Sequence, residues 1–478
     1  MNKEDNGLGL GKITLFAIGA TLASGVFSLS GDFAAAGSHT LSVLIGWLIC
    51  GIGMLTLTLC FFRLSVIRPE LTSGLYSYAK EGFGDYIGFN SAWGFWLSML
   101  LGNLSFVTLL FASLGNYISF FGDGNNLWSL VVGSLYIWLI AALLMRGTNE
   151  AFALNTIIVI AKVIPIAIMI LAVILSGAFN FDIFLDNFAG ENSGLTLLEQ
   201  TRSTVYTTVW VFIGIEGAVV ISGRAKSTSI AGKATILAFI SLFALYFLVS
   251  ILSMGVLSTE ELARLENPPM AALLNEVVGP WGKLVVNIGV IVSIAGALFT
   301  CTILCVESLY QPSTQLCFPR FISKTSPNGA PINAILITTF ITQVFLIIMY
   351  FNKATYQICY TLSTSAIMIP YALSAFYCLK TVFQGIGLKD MSLGGKIWIW
   401  TYSILGSCYG IWMLYASNLS NLLISALLYA PGVLLYIKTK KDDSLPIFPK
   451  LIDKVVVIIL LVMATISVIM IINGTIDL

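Results

Sequence analysis

Two apolar segments of this chain are interrupted by glycine at their centres. The first, Phe16-Ala-Ile-Gly-Ala-Thr-Leu-Ala-Ser-Gly-Val-Phe27, carries Gly19 and Gly25. The second, Val211-Phe-Ile-Gly-Ile-Glu-Gly-Ala-Val-Val220, carries Gly214 and Gly217 and adds a carboxylate, Glu216. Each glycine weakens a helix by about 1 kcal/mol relative to alanine. In lipid, open backbone survives only where it is buried in protein or lines a cavity. Two such breaks at corresponding places in two halves of a chain point to a transporter's binding site.

Composition supplies the membrane. Of 478 residues, 58% are hydrophobic and 10% charged, where a soluble domain carries about 25% charge. The predicted class is therefore an all-α polytopic membrane protein. The opening Met1-Asn-Lys-Glu-Asp-Asn-Gly has no cleavable signal pattern, so the first span is expected to be retained. The eight cysteines lie scattered in apolar segments and form no paired metal spacing. They read as packing residues, and neither a metal nor another cofactor is expected.

A span needs roughly twenty apolar residues, and thirteen segments qualify. Their centres fall near Ala23, Cys50, Leu100, Ile137, Pro165, Ile213, Tyr246, Ser293, Thr342, Ile367, Cys408, Leu428 and Ala464. With the N-terminus placed in the cytoplasm, Arg63, Arg68, Arg146, Arg224, Lys226 and the cluster Lys438, Lys440 and Lys441 all fall in inward loops. The outward loops keep few basic residues, such as Arg202, Arg264, Lys283 and Lys353. That is the positive-inside asymmetry. Thirteen spans put the C-terminus outside. The longest connection, about 177–203, is external and too short for a soluble domain. No Gly-x-x-x-x-Gly-Lys-Ser/Thr loop occurs, which argues against ATP drive. The chain reads as one transporter domain over 1–478, not as an enzyme, a nucleic-acid binder or a channel with charged rings. A homodimer is left open.

The breaks also suggest a ligand. A helix restarting near Ser24-Gly25 presents free backbone N–H groups, which bind anions without a basic side chain. A break near Gly214 to Gly217 frees carbonyls that suit an ammonium group. One anion site facing one cation site describes an amino acid. An intramembrane acid is costly and by default functional, so Glu216 is a candidate gate or proton-linked group; its plainer reading is a hydrogen-bond anchor between helices. Lys162, mid-span in Ile160-Ala-Lys-Val-Ile164, either loses an unaffordable charge or reaches the cytoplasmic face. His39, the only histidine, is expected in a solvated external loop.

Ile18-Gly-Ala-Thr-Leu-Ala-Ser-Gly-Val-Phe27 and Trp210-Val-Phe-Ile-Gly-Ile-Glu-Gly217 resemble helices one and six of the amino acid–polyamine–organocation superfamily. Arg68-Pro-Glu-Leu, Gly-Leu-Tyr-Ser-Tyr-Ala79, Gly88-Phe-Asn-Ser-Ala-Trp-Gly94 and Val277-Val-Gly-Pro-Trp-Gly282 look like its basic amino acid/polyamine antiporter branch, arginine/ornithine antiporters in particular. The resemblance implies a LeuT-like fold of two inverted five-helix repeats, about 12–176 and 204–380, with discontinuous helices one and six. Extra C-terminal helices follow at about 396–474, giving twelve or thirteen spans.

It further implies that Ala20, Ser24 and Gly25 hold the substrate's head, that Trp210 acts as an aromatic lid, and that carbonyls around Ile213 take the α-ammonium. Asn103 matches a pocket asparagine of helix three. Lys162 looks like a fixed replacement for the sodium ion of sodium-coupled relatives. Glu307 is expected either to balance a cationic substrate or to pair with Lys162. The resemblance fails at Cys301, where the arginine/agmatine branch has a tryptophan that stacks the guanidinium. Phe95, Phe106 or Phe299 stands in for it, or the substrate is less cationic. The leading expectation is a small-molecule exchanger in the bilayer of the cell membrane, taking arginine against ornithine. Arginine/agmatine, histidine/histamine and tyrosine/tyramine exchange, or proton-coupled symport, are the alternatives.

Overall fold

A computed structural model describes residues 8–71, 73–146, 151–186, 188–220, 226–352 and 355–476. Arg224, Lys353 and the opening heptapeptide lie outside the described residues. In chain order the helices are α1 Leu10–Thr21, α2 Gly25–Ala35, α3 Thr40–Ile67, α4 Leu75–Phe83, α5 Asp85–Gly115, α6 Leu127–Arg146 and α7 Ala151–Ser176. Then come α8 Phe181–Leu185, α9 Leu197–Trp210, α10 Gly217–Val220, α11 Thr228–Met254, α12 Thr259–Ala263 and α13 Pro269–Val278. The chain ends with α14 Pro280–Thr314, α15 Ile332–Asn352, α16 Tyr356–Phe383, α17 Leu393–Ala416, α18 Leu419–Asp442 and α19 Leu451–Ile472.

Ten of these helices are long and apolar enough to cross a membrane alone, and the bent pair α1–α2 raises that to 11. Helix α7, at 26 residues, and the interrupted α9–α10 stand where the two other expected spans fall. Every expected centre falls in one of them: Ala23 and Ile213 in the two breaks, the rest inside helices. The thirteenth, α19, packs on α18 and leaves most of its apolar surface exposed, as a helix at a lipid-facing periphery would.

Helix α5 is the most thoroughly buried span and packs along α14 and α16. Around it the short elements close the ends. On the inner side, α4 packs on α5 and α16. Arg68, just past α3, donates to Glu70, to Glu81 at 2.9 Å and to the Tyr377 hydroxyl at 2.7 Å. The Arg68 guanidinium holds the Glu70 carboxyl below the usual carboxylate range.

On the outer side, α12 and α13 lie against α2. A Cβ on Gly31 would meet Pro269 Cγ at 2.4 Å, so glycine alone allows that approach. The connection between α7 and α9 covers the start of α3. His39 is consequently not a solvated loop residue: it is buried at 5% exposure. Its backbone N–H donates to the Gln200 side chain at 3.3 Å, and its ring packs on Gly190.

Candidate functional site

The first break falls at Leu22–Ala23–Ser24. Gly19 stays helical within α1, and Gly25 is the first residue of α2. An ending helix leaves its last carbonyls without intrahelical donors, and here those carbonyls are capped from three other helices. Lys162 of α7 donates to Gly19 O at 2.7 Å. The Cys301 thiol of α14 reaches Ala20 O at 3.6 Å, and the Tyr246 hydroxyl of α11 reaches Thr21 O at 3.4 Å. A cation belongs at that negative end of the helix dipole. Lys162 therefore neither snorkels to the cytoplasmic face nor pairs with Glu307: it is fully buried and spent on the break.

The second break runs from Val211 to Glu216 as successive three-residue turns, with Phe212, Ile213, Ile215 and Gly217 each donating three residues back. Gly214 has φ +104°, a region that favours glycine, and a Cβ there would meet Ala20 O at 2.8 Å. Its N–H turns aside to the Glu216 carboxylate at 3.2 Å and 3.3 Å. Among the described residues, the carbonyls of Val211 and Ile213 take no backbone N–H. Glu216 is fully buried and also accepts the Tyr371 hydroxyl of α16. The anchoring arrangement is thus present, tying the break to α16.

The two breaks cross in contact. A Cβ on Gly25 would lie 2.8 Å from Val211 Cγ1 and 3.0 Å from the Trp210 ring, so the start of α2 packs directly against the second break. Between them lies a small cavity, lined by Thr21, Ala23 and Gly25 on one side and by Trp210, Val211, Ile213 and Gly214 on the other. Helix α5 contributes Ser98, Met99, Gly102 and Phe106, and α14 contributes Cys301.

Of the expected residues, Gly25, Trp210, Ile213 and Cys301 line the cavity. Ala20 lies on α1 just before the first break and Ser24 within it, and neither lines the cavity. Asn103 donates to the Thr302 hydroxyl at 3.3 Å, which ties α5 to α14 beside the cavity. Phe106 is the phenylalanine in the wall; its ring lies 5.5 Å from Trp210. Phe95 lines a second cavity with Glu307, Tyr76, Ser73 and Gln311, where Gln311 donates to Glu307 at 3.0 Å. Trp210 closes one wall, its Nε1 donating to the Tyr356 hydroxyl at 3.0 Å and its ring stacked 5.7 Å from Tyr360.

Sequence reasoning missed Ser98, Met99 and Thr21. Their only signal was helical spacing from Gly102 and Gly25, which many apolar positions share. It also passed over Asp32, although the polar spacing Ser24, Ser28, Asp32 on α2 was visible.

Two broken helices crossed about one central cavity, inside a helical bundle, define a transporter of the LeuT fold, two inverted five-helix repeats with helices added after them. A solved structure of MhsT in complex with L-phenylalanine shares the fold, with a TM-score of 0.59 over 85% of this chain and 98% of that one, at 14% identity. The amino acid permease family model matches residues 8–425, and the chain belongs to that family, as a multi-pass membrane transport protein and not an enzyme. The arginine/ornithine antiporter of Pseudomonas aeruginosa is 40% identical over 476 residues, 96% of each chain. The L-lysine transport protein of Corynebacterium glutamicum is 34% identical over 478 residues, 96% of this chain and 94% of that one.

Proposed function

We propose that the protein exchanges an external amino acid for an internal metabolic product by alternating access, with arginine and ornithine as the leading pair. The observation that carries this reading is the apposition of the breaks: free N–H groups of α2 on one side of the cavity and free carbonyls of Val211 and Ile213 on the other. A substrate carboxylate sits on the N–H groups at Ser24 and Gly25, where the dipole favours an anion. The α-ammonium takes the Ile213 carbonyl, with Ala20 behind it. Trp210 covers the bound head, and Asn103 holds the α5–α14 wall that the side chain meets. No tryptophan stands at Cys301, so the guanidinium or ammonium rests against Phe106 and Trp210.

Lys162 keeps the first break open with a fixed charge, which removes the need for sodium. Glu216 transmits the state of the second break to α16 through Tyr371. Glu307 lies nearer the inner end of α14, where its carboxylate meets a cationic product. Exchange follows if the empty carrier reorients slowly, because a ligand must then return in each cycle. The antiporter named among the relatives supports the pair, and the lysine transport protein supports a cationic substrate.

The experiment is uptake of labelled arginine into proteoliposomes loaded in turn with ornithine, agmatine, histidine, histamine, tyrosine, tyramine or buffer. Ornithine inside is expected to stimulate uptake most. Uptake into empty vesicles under a pH gradient, unaffected by internal substrate, overturns exchange in favour of symport.

A further inference from the structure

Ser24, the residue before α2, and Ser28 and Asp32 within it stand at i, i+4 and i+8, which places them on one side of the helix. They are 0%, 0% and 2% exposed. Ser24 Oγ, Ser28 Oγ and Asp32 Oδ2 have no hydrogen-bond partner. Across from them is the start of α16. The Tyr356 phenol lies beside both serines without reaching hydrogen-bond geometry to either, and the Gln357 side chain lies beside the Asp32 carboxylate. Tyr356 is the residue that holds Trp210 over the cavity. Asp32 thus stands two turns beyond the cavity on the outward half of the broken span, behind the aromatic lid.

A buried carboxylate oxygen without a partner is expensive. Among the described residues no ion pair involves Asp32, and its polar neighbours on α16, Gln357 and the Tyr356 and Tyr360 phenols, are uncharged. The two serine hydroxyls lead from this acid toward Gly25 as a polar track along α2. A cation with several N–H donors satisfies all three groups in turn.

We infer that Asp32, with Ser28 and Ser24 below it, forms an outer subsite that captures the side-chain guanidinium or ammonium of a dibasic amino acid before it reaches the central cavity. The inference rests on the cationic exchange proposed above and adds a source of charge selectivity to it. Asp32 would raise the local concentration of cationic substrates at the lid and leave uncharged ones unaffected.

The test compares unlabelled arginine with citrulline, its uncharged isostere, as inhibitors of labelled ornithine uptake into ornithine-loaded proteoliposomes. In the wild type arginine is expected to inhibit at lower concentration. Asp32→Asn is expected to narrow the gap by about tenfold or more with citrulline unchanged, and Asp32→Glu to restore it. Gln357→Lys, which sets an ammonium against the carboxylate, should narrow the gap equally and serves if Asp32→Asn fails to fold. A structural role for Asp32 would weaken both inhibitors together, and that outcome overturns the inference. So does an unchanged gap in a folded variant. If the wild type takes up no dibasic amino acid, the exchange reading itself falls and the subsite with it; wild-type exchange with an unaltered Asp32→Asn gap sinks the subsite alone.

Discussion

The Lys162 ammonium donates 2.7 Å to the Gly19 carbonyl, so the one charged group in the middle of α7 is committed to the end of a half-helix. This bond explains how α1 can stop inside a membrane: its dangling carbonyls are satisfied from α7, α11 and α14, so the bilayer never meets them. Lys162→Gln is expected to lower thermal stability, since the shorter, uncharged side chain draws its donor away from the buried Gly19 carbonyl, which costs about 1–3 kcal/mol, and to abolish most exchange. Lys162→Arg should not rescue, because the fork of a guanidinium does not fit a site shaped for one donor. Exchange in Lys162→Gln at wild-type rate would mean the break holds without its cation.

Gly25 and Gly214 are the contact points of the crossed breaks. Gly25→Ala puts a methyl within 3.0 Å of Trp210 and 2.8 Å of Val211, and substrate affinity should fall at least about tenfold, a cost near 1.4 kcal/mol, with the fold intact. Gly214→Ala carries a backbone penalty as well, because φ is +104°, and should destabilise by about 1–3 kcal/mol. Thermal melts with and without arginine separate the two effects. A Gly25→Ala protein that binds like wild type would show the breaks to be farther apart in the binding state.

The Glu216–Tyr371 bond predicts coupling. Tyr371→Phe and Glu216→Gln each remove part of one buried network. Their double mutant should therefore fall short of additivity by about 0.5–3 kcal/mol in stability. The two should also slow exchange by similar factors, because each loosens the same link between the second break and α16. Strict additivity in both readouts would separate the residues and leave Glu216 as a purely local anchor for Gly214.

At the inner end, Arg68 holds Glu70 in its charged form. Because the folded-state pKa of Glu70 lies below its ordinary value, the pair's contribution is fully present above the unfolded carboxylate pKa of about 4.3. It is lost as pH falls through the lower, folded value. Glu70 is largely exposed, and such pairs contribute under about 1 kcal/mol. Glu70→Gln should thus melt slightly below wild type at pH 6 and coincide with it under strong acid. Arg68→Ala should cost more at neutral pH, since it also frees the buried side of Tyr377.

The spans and the breaks were legible in the sequence because both are local. Hydropathy over twenty residues finds Cys50 or Ala464 without reference to any partner, and glycine clusters betray the backbone at Ser24 and Gly214. What depended on tertiary contact was not legible. The first break is set where Lys162, Tyr246 and Cys301 converge from three helices distant in sequence. His39 was buried by a connection more than 140 residues downstream, at Gly190 and Gln200. Glu307 and Phe95 joined in a separate cavity because α5 and α14 pack side by side along their length, which a residue's neighbours in sequence do not disclose.

The most direct test of the crossed-break site is competition for binding of labelled L-arginine to purified protein. Unlabelled ornithine keeps the whole amino acid head, agmatine lacks its carboxylate, and argininic acid lacks its α-ammonium. Recognition by the α2 N–H groups and the Ile213 carbonyl predicts that ornithine displaces arginine at similar concentration. Agmatine and argininic acid should each need about tenfold more or beyond, about 1.4 kcal/mol for each lost group. Displacement by all three at equal concentration would contradict a site built from two opposed helix breaks.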